Sequence, residues 1–268
     1  MTRKPSVQTV LITGASSGIG EALARRFARD GHRLVLVART EAKLAALARV
    51  LLAEHGVAVF VEPADLAAPE TPRQLASALR HKRIDVDVLV NNAGVLHQGE
   101  FAAMRADRHR ELIDLNVTAL TAMLAHFLPA MIARGHGRVL NVASIAAFQP
   151  IPMLATYAAT KAFVLSLTES LADELKGTGV TMTALCPGIT DTNMLSSAVE
   201  ANARLARLPG FLIGDVEQVA EEGYRACMDG AVISVPGVVN QAVTLASRAT
   251  PKWLLRRIAG TLARKAGS

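Results

Sequence analysis

The chain alternates short apolar stretches of strand length with longer amphipathic ones, and this alternation restricts its fold more than any other feature. Strand-length runs occur at Val7–Thr13, Leu34–Ala38, Val57–Val61, Val86–Val90, Arg138–Val142, Val180–Leu185 and Ala231–Val235. Between them a helical pattern marks Ile19–Arg29, Glu41–Glu54, Pro72–His81, Asp107–Ala133, Thr156–Lys176 and Val216–Met228. Parallel neighbours need crossover connections and are buried on both faces, so strand and helix repeating in turn predict an α/β chain. The expected architecture is doubly wound: a seven-stranded, mainly parallel sheet with helices on both faces. No solenoid repeat and no low-complexity linker divides the chain, which predicts a single domain over residues 1–268.

Composition narrows the function classes. Apolar residues make up 51% of the chain, yet no uninterrupted apolar run reaches the roughly 18 residues of a membrane-spanning helix. Met1–Gln8 carries Arg3, Lys4 and Pro5 without a signal-peptide apolar region, so a cytoplasmic protein is expected. Cys186 and Cys227 are too few and too far apart for a disulfide framework or a zinc site. His97, His109 and His126 show no paired metal spacing, and no metal is expected. The net charge of +6 raises a nucleic-acid reading, but the excess lies in the tail, where Arg248, Lys252, Arg256, Arg257, Arg264 and Lys265 occur without an acid after Gly230. With aromatics at only 4%, no interleaved basic and aromatic surface is visible, so no nucleic-acid partner is expected.

That tail, Pro251–Ser268, reads as a basic amphipathic helix. Trp253, Leu254, Leu255, Ile258 and Leu262 form its apolar side. Its occupant stays open between a partner subunit, an anionic membrane surface and the chain's own domain.

Directly after the first strand stands Thr13-Gly14-Ala15-Ser16-Ser17-Gly18-Ile19-Gly20, followed by a helix. Glycines in such a turn let the backbone approach a pyrophosphate, which the amides and dipole of the helix N-terminus stabilise, as in a Rossmann dinucleotide site. The second strand ends at Ala38-Arg39-Thr40, where an NAD-binding chain usually presents an acid to the ribose hydroxyls. Arg39 stands there instead, with a planar charged fork suited to a 2′-phosphate, so NADP (NADPH) is expected over NAD. Asp65 and Leu66 follow the third strand and Asn91-Asn92-Ala93-Gly94 closes the fourth, both at carboxyl ends where open α/β sheets bind ligands.

Taken with Asn116, Ser144, Tyr157, Lys161 and Pro187-Gly188 with Thr192, these residues resemble the short-chain dehydrogenase/reductase family in chain order from Val7 to about Gly237. The resemblance implies that Lys161 also binds the nicotinamide ribose and that Asn116 supports a proton-relaying water. It further implies that Pro187, Gly188, Ile189 and Thr192 pack the carboxamide side of nicotinamide, and that the chain forms dimers or tetramers. The long helices around Glu111–Ala133 and Thr156–Lys176, more apolar than one core-facing stripe needs, agree with such a homo-oligomer.

Spacing argues the chemistry independently. Tyr157 and Lys161 lie one turn apart on a helix face. A free tyrosine has a pKa of about 10, and a lysine cation together with oxidised nicotinamide is expected to lower it. Tyr157 is then the acid for reduction and the base for oxidation. Ser144 donates a hydrogen bond to the substrate oxygen.

The expected reaction is reversible reduction of a carbonyl to a secondary alcohol on a neutral or lipophilic small molecule. Its walls come from Val95–Phe101, Ile145–Leu154 and a lid at residues 189–214, including Ile145, Phe148, Ile151, Met153, Leu154, Met194 and Leu195. One alternative is an NADP-binding regulatory or scaffold protein of the same fold without catalysis. A second, a sugar-nucleotide epimerase or dehydratase, is disfavoured by the glycine spacing and the chain length.

Overall fold

The computed structural model describes residues 7–190 and 214–249. Seven strands, β1 Thr9–Thr13, β2 Arg33–Ala38, β3 Val59–Pro63, β4 Val88–Asn91, β5 Gly137–Val142, β6 Val180–Leu185 and β7 Ile233–Ser234, form one sheet in the order β3-β2-β1-β4-β5-β6-β7. Every neighbouring pair is parallel. The winding direction reverses between β1 and β4, the point at which a doubly wound sheet opens a crevice at its carboxyl edge.

Alternation of side chains along the strands sorts the core into two layers. Leu11, Val35, Val37, Leu89, Val139 and Met182 face one way, against α3 (Thr71–His81), α5 (Leu120–Arg134) and α6 (Ala155–Glu174), whose Leu79, Met123, Met131 and Val164 are buried there. Val10, Ile12, Leu34, Leu36, Val88 and Leu140 face the other, against α1 (Gly18–Arg29), α2 (Glu41–His55) and α7 (Val216–Asp229), which contribute Leu23, Phe27, Leu44, Leu51 and Ala220. Burial on both faces explains why these strands read as continuous apolar runs.

Three departures from the sequence expectation have physical causes. The helix expected over 107–133 is α4 (Ala106–Ile113), a π-helical segment at Asp114–Ala119 and then α5. The extra residue per turn re-aims the side chains where Leu115 and Asn116 meet the site, as π-bulges do elsewhere. The strand expected over 231–235 shrinks to two residues at the sheet edge, because Gly230 ends α7 in a left-handed conformation and Pro236 follows. A final helix, α8 (Val238–Ala249), was not legible in the sequence pattern. The run from Ala106 to Arg134 is long and apolar enough in length and composition to cross a membrane, yet Leu120, Met123, Leu124 and Met131 pack into the core beneath the sheet.

Thr190 and Gly214 meet in an isolated parallel bridge, and Gly214 N–H donates to Ile189 O at 2.7 Å. The two ends of the expected lid are therefore adjacent. The rest of that lid, with Thr192, Met194 and Leu195, and the basic tail from Pro251 onward lie outside the described residues.

Candidate active site

A cavity of about 570 Å³ runs along the carboxyl edge of the sheet, from Arg39 at one end to Tyr157 and Ile151 at the other. Its first part is built from the β1–α1 turn. Gly14 adopts φ +65, and a Cβ on Gly20 would lie 2.3 Å from Gly14 O, so the turn closes only without side chains at these positions. The turn is clasped to β4: Asn92 Nδ2 donates to Thr13 O at 2.9 Å and Gly14 O at 3.2 Å, while Thr13 Oγ1 accepts from the Asn92 and Ala93 amides at 2.9 and 3.0 Å. Ser17 caps α1 without a side-chain bond to it, and the first amides of a helix have no partner within it, which suits them to an anion. Ser16, Ser17, Gly18 and Ile19 line this wall, and Gly20 stands behind it.

Arg39 is exposed at the open end, and no acid pairs with it among the described residues. Asp65 and Leu66 line the opposite side, where Asp65 Oδ1 holds the Ala67 amide at 3.1 Å. A helix start without a side-chain cap and a glycine cradle together fit the pyrophosphate of a dinucleotide.

The inner end gathers the residues expected to do chemistry. Tyr157 and Lys161 project from α6 and are 8% and 6% exposed, nearly sealed from water apart from the cavity. Ser144 begins a short 3-10 turn, Ile145–Phe148, and its Oγ accepts from the Ala146 amide at 3.1 Å and donates to Pro187 O at 3.5 Å. Lys161 Nζ donates to Val142 O at 2.8 Å. Burial lowers the Lys161 ammonium to about 8, with a small opposing effect from Cys186. Burial pushes the Tyr157 hydroxyl up to about 12, against the pull of the Ser144 hydroxyl. Without the nicotinamide cation, burial alone sets the direction for the phenol, and it is upward.

Asn116 stands behind the wall. Its Oδ1 accepts from Val95 N–H at 2.9 Å, and its Nδ2 donates to Val95 O at 3.0 Å and Thr160 Oγ1 at 3.2 Å. The side-chain amide is thus spent on fixing the loop after Gly94 and on Thr160. Ala93, Gly94, Pro187, Gly188 and Ile189 line the cavity as expected.

On the substrate side Ile145, Ile151 and Leu154 form the wall, joined by Val95, Leu96, Gln98 and Leu115. Phe148 packs against the core cluster instead, and Met153 turns outward at φ +70, 39% exposed, its carbonyl accepting from Gly99 N–H at 2.9 Å. Neither side chain lines the cavity formed by the described residues, contrary to the expectation. Sequence reasoning also missed a buried polar ladder, Asn91 Nδ2 to Asn141 Oδ1 and Asn141 Nδ2 to Thr168 Oγ1, both 2.9 Å, which ties β4 and β5 to α6. Asparagines inside two apolar strands were the available signal, since buried amides are kept only where they are hydrogen-bonded.

A family model described as short chain dehydrogenase matches residues 8–203. The chain is 34% identical over 206 residues, 74% of each chain, to the uncharacterized oxidoreductase YvrD of Bacillus subtilis. It is 39% identical over 186 residues to the granaticin polyketide synthase putative ketoacyl reductase 1 of Streptomyces violaceoruber, covering 69% of this chain and 68% of that one. A solved short-chain dehydrogenase from Sphingobium yanoikuyae in complex with NADPH superposes with a TM-score of 0.81 at 36% identity, covering 91% of this chain and 93% of the other.

Proposed function

The chain belongs to the short-chain dehydrogenase/reductase family, and from that premise we propose that it is an NADP(H)-dependent oxidoreductase that reversibly reduces a carbonyl to a secondary alcohol on a neutral or lipophilic small molecule. The observation that carries this reading is one continuous cavity with Arg39, unpaired among the described residues, at its outer end and Ser144, Tyr157 and Lys161 at its apolar inner end. The NADPH held by the Sphingobium relative supports the cofactor.

When bound, the nicotinamide supplies the hydride for reduction and accepts it for oxidation. The chain's own residues manage the proton and the charge. Ser144 Oγ, fixed by the Ala146 amide it accepts from, turns its one hydrogen from Pro187 O to the substrate oxygen. Tyr157, kept protonated at neutral pH by burial, gives its proton to that oxygen as the carbonyl carbon becomes tetrahedral. Lys161, charged below about pH 8, stabilises the phenolate left behind. Val95, Leu96, Leu115, Ile145, Ile151 and Leu154 exclude water and favour an apolar substrate. A scaffold that merely held the cofactor would have no use for a buried tyrosine and lysine on one turn. We place the protein in the cytoplasm, where the buried thiols of Cys186 and Cys227 stay reduced.

The test is NADPH oxidation with a panel of aldehydes and bulky ketones, in wild type and Tyr157→Phe. Turnover that vanishes in the variant is expected. Turnover that persists there, or no turnover of any member while NADPH still binds, overturns the catalytic reading.

A further inference from the structure

Helix α8 lies beyond the last strand, and none of its described residues lines the cavity. It nevertheless packs against the 3-10 turn that begins at Ser144. Its first turn leaves Val238 and Val239 in solvent, 82% and 49% exposed, so apolar burial is not what seats this end. The polar side chain between that turn and the site is Asn240. A Cβ at position 188 would lie 2.5 Å from Asn240 Oδ1 and 2.6 Å from Nδ2, closer than real Cβ atoms come, so the amide fills the space that any side chain at Gly188 would need. The amide is itself anchored: Nδ2 donates to Pro236 O at 2.7 Å, across a turn that Gly237 closes at φ +85.

On its other side the same loop is tied to the catalytic serine. Pro187 O accepts from Ile145 N–H at 2.9 Å and from Ser144 Oγ at 3.5 Å, and Gly188 O accepts from Thr190 Oγ1 at 3.1 Å. Residues 187–190 are therefore a thin wall, with the cavity in front and Asn240 behind. A shift of this wall moves the acceptor that orients the Ser144 hydroxyl.

We propose that Asn240 is a positioning residue: its amide backs Gly188, sets the depth of the 187–190 wall toward the nicotinamide, and through Pro187 O fixes the Ser144 hydroxyl. The inference rests on the proposed reading of this wall as the nicotinamide side of the cavity. A small displacement of a group that orients reacting atoms costs one to two orders of magnitude in rate, and Asn240→Ala is expected to lower kcat/KM by about tenfold or more.

The experiment uses the full chain and two readouts, the NADPH dissociation constant by fluorescence titration and steady-state reduction, for wild type, Asn240→Ala, Gly188→Ala and the double variant. Asn240→Ala should weaken NADPH binding and lower kcat. Gly188→Ala should lose more, because its methyl meets the amide, and adding Asn240→Ala should restore NADPH affinity relative to Gly188→Ala alone. A helix that only stabilised the fold would lower the melting temperature without producing that rescue. If Asn240→Ala does not fold, Asn240→Ser opens the same space and the comparison with Gly188→Ala is made in its background. Additive losses, or an Asn240 variant that binds NADPH and turns over like wild type, overturn the inference alone. Wild type that does not bind NADPH overturns the proposed function and this inference with it.

Discussion

Lys161 Nζ lies 5.8 Å from the centre of the Tyr157 ring while donating its hydrogen bond to Val142 O at 2.8 Å. The ammonium is near enough to stabilise a phenolate, yet it leaves the protonated phenol undisturbed. A buried phenol pushed up to about 12 is a proton donor at rest, the form that carbonyl reduction uses. The lysine lowered to about 8 is then the group that titrates in the working range.

Reduction should therefore be constant through neutral pH and fall as pH rises through about 8, where Lys161 loses the charge that stabilises the departing proton's phenolate. Lys161→Arg keeps a cation at every accessible pH and should move that alkaline limb upward. Lys161→Ala should lose about 100-fold or more, the usual scale of a disabled acid–base step. The check is kcat/KM against pH in the reduction direction, and an alkaline limb unchanged in Lys161→Arg assigns it to another group.

Arg39 should decide between the two nicotinamide cofactors. A charged hydrogen bond to phosphate contributes about 1.5–3 kcal/mol, or roughly 10- to 160-fold in affinity. Arg39→Asp removes it and offers the ribose hydroxyls a carboxylate, so the kcat/KM ratio of NADPH to NADH should fall by at least that factor and invert. A ratio that stays at the wild-type value rejects Arg39 as the discriminating residue.

His32 gives the fold an acid limit. It is fully buried, its Nδ1 accepts from Gln8 N–H at 3.2 Å, and its Nε2 has no partner among the described residues. Burial holds its pKa below the ordinary 6.5, so the native state favours the neutral ring. Below 6.5 the unfolded chain binds a proton that the native state resists, and stability drops as pH falls toward the folded value. Melting temperature should decline below about pH 6.5 in wild type, and His32→Gln should flatten that decline. An identical acid limb in both proteins means that carboxylates alone set it.

The sheet, its parallel sense and the order of the site motifs could be read from the chain because each rests on local patterning. Apolar runs mark doubly buried strands, and Thr13 to Gly20 needs its glycines where the backbone touches itself. Tyr157 and Lys161 were legible because a helix brings residues four apart together. What was not legible depends on contacts between distant segments. The direction of Met153 follows from a left-handed residue that Gly99 supports across the cavity mouth. The amide of Asn116 is spent on Val95, a choice made by the π-helical register. Asn240 gave no signal, because its meaning depends on Gly188 lying against it.

The last prediction concerns assembly. Three helices that carry or flank the site expose large apolar side chains: Ile113 on α4 at 46%, Ile132 on α5 at 41% and Phe163 on α6 at 41%. Phe163 lies two positions beyond Lys161, on the helix whose other side forms the catalytic wall, and α4 packs against that helix. Burying such a side chain contributes about 1.5–3 kcal/mol, so a symmetric contact counts each one twice. The chain is expected to form a dimer or tetramer through these helices. Phe163→Glu together with Ile113→Glu should lower the mass measured by light scattering at micromolar concentration to that of one chain and reduce the melting temperature. Because α6 also holds Tyr157 and Lys161 in register with Ser144, the dissociated variant should lose part of its turnover while NADPH binding at the β1–α1 turn persists. Wild type that scatters as a single chain refutes the assembly, and a double variant that keeps the wild-type mass places the interface elsewhere.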